Sequence, residues 1–319
     1  MDANLRFWRA EGQSFFQRFL LWVDALDPLL LLKSSDEIRS SRQLLEESVK
    51  TPSEPIQNDQ VRQAFLLSLS SAHPDTNQIT PVLCRPPAFL PLSLPLVIFS
   101  SMQLQPKQNF FGQFAFHTYT TVFTLLNGNH TVKDEEYSVQ EKQVFLGLGV
   151  ITYASGVGAF PLYFMNRYTL TNPLAQLIIK KLLYAPLLGL LSAFTVAAVR
   201  SPEFENGIEV MDRNGKVVGV SKAAGEKAVR ETALSRAALF GTTFFLPSLL
   251  MYFVERTKLA KTPRALASVR MLLITSVLTA MLPVSLSLYP QCGVIKRADL
   301  EAEILSSTEE SELFYNRGI

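Results

Sequence analysis

The stretch "MLLITSVLTAMLPVSLSLY", residues 271–289, decides the fold, because its nineteen residues include no charge. A helix that crosses a bilayer needs about 20 mostly apolar residues, with a usual range of about 17–25. Working outward along the chain, four more blocks meet the same test: Pro86–Met102, Val144–Met165, Leu182–Val199 and Ala237–Val254. A charge at the bilayer centre costs at least about 2.5 kcal/mol, so uncharged blocks of this length mark a lipid environment. The blocks predict an all-α integral membrane protein with about five transmembrane helices. A sixth segment, 110–126, is weaker, since it carries His117, Tyr119 and four threonines. It either spans while facing other helices or lies along the interface by its aromatic face.

The charges lie almost wholly between the blocks, 30 basic against 28 acidic, for a net charge of +2. No basic stripe remains for nucleic acid once the loops are balanced. Counting lysine and arginine by loop does not orient the chain. Five spans split the 30 basic residues 17 to 13 and six split them 21 to 9, and long loops count little. Cys84 and Cys292 are the only cysteines, which excludes a disulfide framework and a multi-cysteine zinc site. The stretch "MDANLRFWRAEGQSFF" has neither the apolar core of a secretory signal nor the acid-free character of a transit peptide.

Three regions follow from this pattern. Residues 1–85 read as a soluble, helical N-terminal region, with "DEIRSSRQLLEESV" as an amphipathic helix and "KTPSEPIQND" as a linker. The transmembrane domain covers 86–289 and includes a hairpin–helix loop at 200–236. There, "GIEVMDRNGKVVGVS" alternates apolar residues around Asn214-Gly215, the signal for a tight β-hairpin. A polar helix, "KAAGEKAVRETALSRA", leads on into the next span. Residues 290–319 form an acidic tail.

Within the blocks, Ala154 with Gly158 and Ser155 with Ala159 have the small-residue spacing by which membrane helices approach closely. Pro91, Pro95, Pro161, Pro186, Pro247 and Pro283 recur in the spans, where kinks or breaks are tolerated if neighbours satisfy the freed carbonyls. Gly156-x-Gly158 is no dinucleotide fingerprint, because Pro161 stands at the third position and no strand precedes it.

Little enzyme chemistry is on offer. His73, His117 and His130 lie in separate segments with no ligand spacing, so no metal and no cofactor is expected. No nucleophile elbow or phosphate loop occurs. Asn129-His130-Thr131 matches a glycosylation sequon, which matters only in a secretory compartment. His73-Pro74-Asp75-Thr76 shares a tripeptide with the J-domain co-chaperones, but the helix before it carries one basic residue, Arg62, where that recognition needs many. A capped turn, with Asp75 accepting backbone N–H groups and Pro74 setting φ, is the favoured reading.

His73-Pro74-Asp75-Thr76 ahead of a membrane region also resembles the sideroflexins, and the likeness runs the length of the chain. Its pieces are Asp27-Pro28, Arg200 with Glu203, Gly207-Ile208, Asp212 before Asn214-Gly215, Ser235-Arg236, Tyr289-Pro290-Gln291, Leu300-Glu301 and the closing "FYNRGI". The resemblance implies a multi-pass protein of the mitochondrial inner membrane, of a family associated with amino-acid transport, serine above all. Where the family carries asparagines in the third certain span, this chain has Ser192, Thr195 and Ala197. Its asparagine-rich stretch is reduced to Asn127-Gly128-Asn129-His130. Asparagine amides both donate and accept, so losing them removes candidate ligands for a zwitterion. "LRFWRAEGQSF", "RPPAFLP", "KAVRETALSR" and "LFGT" look most like a divergent branch of the family. That likeness implies support of respiratory complex I assembly and of iron and iron–sulfur homeostasis. Two expectations result. One is a membrane-anchored protein that handles serine poorly and acts with complex I assembly factors; the other is an active transporter of a serine-like amino acid. The positions carried forward as substrate path or family motif are His73, Pro74, Asp75, Thr76, Asn127, Asn129, Ser192, Thr195 and Arg200.

Overall fold

The computed structural model describes residues 3–50, 59–102, 105–129, 141–167, 184–257 and 261–319. Residues 51–58 of the expected linker, all of the sequon beyond Asn129 and the first two residues of the third block lie outside them.

Each apolar block is a helix. The first forms α5 (Pro86–Met102), after four N-terminal helices: α1 (Ala3–Glu11), α2 (Phe15–Ala25), α3 (Ser35–Lys50) and α4 (Asp59–Ser71). The weaker segment falls in α6 (Pro106–Asn127), and the next two blocks in α7 (Glu141–Arg167) and α8 (Tyr184–Val199). After the short α9 (Pro202–Asn206), the polar helix and the fourth block run together as α10 (Lys222–Thr257), and the last block lies in α11 (Pro263–Ser287). Three of these helices, Phe145–Arg167 within α7, α10 and α11, are long and apolar enough to cross a bilayer unaided. The other two apolar helices, α5 and α8, are shorter. At 1.5 Å per residue α5 is about 25 Å long, a little under a hydrocarbon core of about 30 Å.

Five of the six prolines sit inside continuous helices, at Pro91, Pro95, Pro161, Pro247 and Pro283. Pro186 falls in the first turn of α8, where a missing N–H costs nothing. The small residues of α7 are indeed buried, Ala154 and Ser155 completely. A close helix crossing lies elsewhere, between α8 and α10. A Cβ on Gly189 would stand 2.8 Å from the Cα of Gly241 and 3.0 Å from the carbonyl of Ala237. Gly189→Ala is therefore expected to force the two helices apart and destabilise by about 1–3 kcal/mol. Gly149→Ala, where a Cβ meets nothing within 4 Å, should be neutral or stabilising. Thermal unfolding of both variants in detergent checks the contrast.

The chain is not all-α. Besides the expected hairpin, β1 (Ile208–Met211) and β2 (Val217–Ser221), two strands form in the tail: β3 (Cys292–Lys296) and β4 (Glu312–Asn316). Together they make one antiparallel sheet in the order β2-β1-β4-β3. The hairpin is also looser than Asn214-Gly215 suggested. Within the hairpin only Gly215 takes a positive φ, 82°, where the type I′ turn favoured by Asn-Gly needs both central residues positive. Asp212 explains the wider loop: its carbonyl accepts the Gly215 N–H at 3.0 Å, and its side chain accepts the Lys216 N–H at 2.8 Å.

One apolar core joins the N-terminal helices to the membrane helices. Trp8, Trp22 and Phe65 lie in the same cluster as Phe89, Phe116, Phe240 and Leu278. Phe7 stacks on Phe65 with centroids 3.9 Å apart. A second, smaller core under the sheet packs Ile208, Val210 and Leu313 against Ala224 and Ala228 of α10.

Candidate functional site

The structure collects five of the nine expected positions into one polar knot, buried at His73, Asn127 and Arg200 and open at Asp75, which the last residues of the chain close. It starts at Arg200, directly after α8. Nε of Arg200 donates to Oε1 of Glu203 at 2.6 Å, and Nη2 to Oε2 at 2.8 Å. The pair is a two-pronged fork with both side chains at least 95% buried. The rest of the guanidinium is also used: Nη1 donates to Thr232 Oγ1 at 3.0 Å, and Nη2 to the carbonyl of Arg317 at 2.8 Å. Gly225 of α10 lets α9 lie this close, since a Cβ there would stand 2.2 Å from the Glu203 carbonyl.

Asn129 joins the same knot by donating to Glu203 Oε2 at 3.1 Å and to the carbonyl of Asn316 at 2.9 Å. Asn127 holds the end of α6, donating to the carbonyls of Cys84 and Phe123 at 2.9 and 2.8 Å. Its own carbonyl accepts the N–H of Ile319 at 3.0 Å.

His73 and Asp75 approach from α4. His73 Nε2 lies 2.8 Å from the carbonyl of Gly128, and Nδ1 accepts the Asp75 N–H at 3.2 Å. The carbonyl can only accept, so Nε2 carries the proton and the ring is the neutral tautomer. Asp75 accepts from the Asn316 side chain at 3.2 Å, across 241 residues of sequence. The tetrapeptide is thus a turn, as expected, but it is His73 Nδ1 that accepts a backbone N–H of the turn while Asp75 meets Asn316, and the turn ties α4 to the end of α6 and to β4. A buried histidine cannot serve as the exposed motif of a J-domain. Thr76 is half-buried, and its hydroxyl accepts the Gln78 N–H at 3.4 Å. Pro74 is half-buried beside it. His73→Ala is expected to leave the Gly128 carbonyl unmet and to cost about 1–3 kcal/mol, readable as a lower unfolding midpoint. His73→Gln should recover part of it through its amide.

Sequence reasoning missed Arg317, which is almost wholly buried and anchors the tail. Nη1 donates to the Tyr289 carbonyl at 2.9 Å; Nη2 donates to the Leu286 carbonyl at 3.1 Å and to Gln291 Oε1 at 3.3 Å. Burial lowers this guanidinium to about 10, Glu231 offsetting part of the effect and Arg200 adding to it. The side chain stays charged at neutral pH and caps the end of the last span. Tyr315 donates to Glu231 at 3.3 Å; burial first, and then that carboxylate, hold its hydroxyl far above the usual range.

Ser192 and Thr195 stand apart from the knot, inside the bundle. Each turns back on its own helix: Ser192 donates to the Leu188 carbonyl at 3.0 Å, and Thr195 to the Leu191 carbonyl at 2.8 Å. Facing them is a stripe on α6 that sequence reasoning also missed except for His117. Asn109, Gln113, His117 and Thr121 recur every four residues, each at most 2% exposed. Asn109 donates to the Ser100 carbonyl at 2.9 Å and, at 3.4 Å, to the Tyr184 hydroxyl, which Gln113 reaches at 3.3 Å. Thr195 Oγ1 has spent its proton, so His117 Nδ1, 3.5 Å away, donates to it. Asn109 Oδ1, Gln113 Oε1, His117 Nε2 and Thr121 Oγ1 have no partner among the described residues. Also among the described residues, no cluster of metal-ligating side chains occurs.

The sideroflexin family description matches residues 4–319. The chain is 44% identical to Sideroflexin-4 of Danio rerio, with all of both chains covered. It is 38% identical to Sideroflexin-4 of Homo sapiens, over 100% of this chain and 93% of that one. It is 28% identical to Sideroflexin-5 of Homo sapiens, over 98% of this chain and 91% of that one. No solved structure matches it significantly. A match of this extent makes the conclusion plain: the chain belongs to the sideroflexin family.

Proposed function

We propose that this protein works in the mitochondrial inner membrane as a sideroflexin with weakened serine handling, supporting complex I assembly and iron–sulfur homeostasis by contact with other proteins. The observation that carries the first half is the state of Ser192 and Thr195. Their protons are committed to α8 itself, so these positions offer a solute only lone pairs, where asparagines would offer donors and acceptors together. The second half rests on the resemblance to Sideroflexin-4 proteins.

The α6 stripe favours a second reading. A helix of 22 residues is about 33 Å long, enough to span, and it packs against α5, α7 and α8. Unmet polar atoms on its inner side are what a path for a small amino acid would present. A rescue experiment separates the two readings. In cells lacking the protein, the native chain should restore assembled complex I, and Gln113→Leu should restore it equally. Loss of rescue with Gln113→Leu, in protein that still reaches the membrane, favours the transporter.

A further inference from the structure

Helix α2, "FFQRFLLWVDA", presents three different sides. Arg18, Leu21, Trp22 and Ala25 face inward and are buried. Gln17 and Asp24, two turns apart on one flank, are polar, and Asp24 pairs with Arg62 of α4 at 2.7 Å. The remaining side is Phe15, Phe16, Phe19, Leu20 and Val23, without one polar group, and Phe16 is 74% exposed. The exposed run continues through the 3-10 turn Pro28–Leu32, where Leu29 is 66% and Leu32 81% exposed. Asp27 stands between the two segments, its carboxylate accepting the Leu29 N–H at 2.9 Å, and the next charge is Lys33. A water-facing surface does not carry a contiguous apolar patch of this kind without a partner.

The position of α2 identifies the partner. Arg18 reaches inward and its Nε donates to the carbonyl of Ser287, the last residue of α11, at 3.0 Å. Its Nη1 holds the carbonyls of Gly12 and Gln13 at 3.2 and 2.9 Å. The helix is thereby tied to the point where the last span ends, at the boundary of bilayer and water. It packs along α11, and the 28–32 turn packs along α5, so the exposed phenylalanines and leucines continue the outer faces of two apolar helices.

We propose that α2 and the 28–32 turn are a membrane-surface element: an interfacial helix whose apolar side lies among lipid acyl chains, with Gln17 and Asp24 toward water. This departs from the expectation that residues 1–85 are soluble throughout. An interfacial helix is known by this combination of an uncharged face with bulky aromatics and a polar flank.

The test uses the full chain in phosphatidylcholine nanodiscs, with a nitroxide at position 16 (Phe16→Cys), 32 (Leu32→Cys) or 39 (Arg39→Cys). Position 39 is the aqueous reference, on the exposed face of α3. The parent thiols, Cys84 and Cys292, are buried and set the labelling blank. Power saturation against oxygen and a water-soluble nickel chelate is expected to give positions 16 and 32 an oxygen-to-nickel ratio several-fold above that at 39. Equal ratios at all three positions would overturn the proposal in favour of an aqueous surface. Labels at 16 and 32 shielded from both reagents would overturn it in favour of a second copy or a protein partner covering the patch.

Discussion

Arg200→Ala should unfold this protein more readily than any other single truncation in the membrane domain, at a cost of about 3–5 kcal/mol. The reason is what remains behind. Glu203 would keep a carboxylate at about 5% exposure with only Asn129 to answer it, and Thr232 and the Arg317 carbonyl would lose their donor. Glu203→Ala should be comparably severe, because it strands the guanidinium. The double change should cost much less than the sum, since most of each single loss is an uncompensated buried charge. A thermal or denaturant series on the four proteins in one detergent measures the coupling. Additive losses would mean that the pair contributes no more than packing.

Removing residues 312–319 is the other change with a large expected effect. β4 lies inside the sheet and pairs with both β1 and β3. Truncation leaves the second core without Leu313 and Tyr315, which are 0% exposed. It opens the end of the last span by removing Arg317, whose bonds, as charged-group contacts, are worth about 1.5–3 kcal/mol apiece. It also strips the partners of Asp75, Asn127, Asn129 and Arg200 in one step. The truncated chain is expected to yield no monodisperse protein, whereas Glu309→Ala, exposed just before β4, should behave as native. A truncated protein with an unchanged unfolding midpoint would show that the tail is an ornament on the knot.

How far the sequence foretold this depends on the range of each force. The apolar blocks were legible because a bilayer imposes its thickness locally, on consecutive residues such as 271–289. The hairpin was legible for the same reason, although Asp212 widened its loop. β3 and β4 were not, because "CGVIK" and "ELFYN" are short and gain their order from pairing with each other and with β1, about a hundred residues earlier. The knot was half legible. His73, Asp75 and Arg200 stood out as family pieces, and Asn127 and Asn129 as the remnant of an asparagine-rich stretch, but nothing local says that Asn316 reaches Asp75 or that Arg317 caps α11. The α6 stripe had a readable signal, polar residues at every fourth position from Asn109 to Thr121. It was masked because those same residues lowered the hydropathy of segment 110–126 and made it look like a poor span. Ser192 and Thr195 were read only as members of the third span; the structure reveals that they are buried and that their hydroxyls are turned back on α8.

The central claim, that this sideroflexin handles serine poorly, is tested most directly by uptake of labelled serine into liposomes containing the purified native chain. An amino acid entering the bundle carries two charges, and each must be met as its water is removed. With Ser192 and Thr195 committed to their own helix, little on α8 can meet them. Uptake at or barely above that of empty liposomes is the expected result, with at best partial recovery on Ser192→Asn, Thr195→Asn. Robust, saturable serine uptake by the native protein would contradict the account, and would place the working site on the α6 stripe.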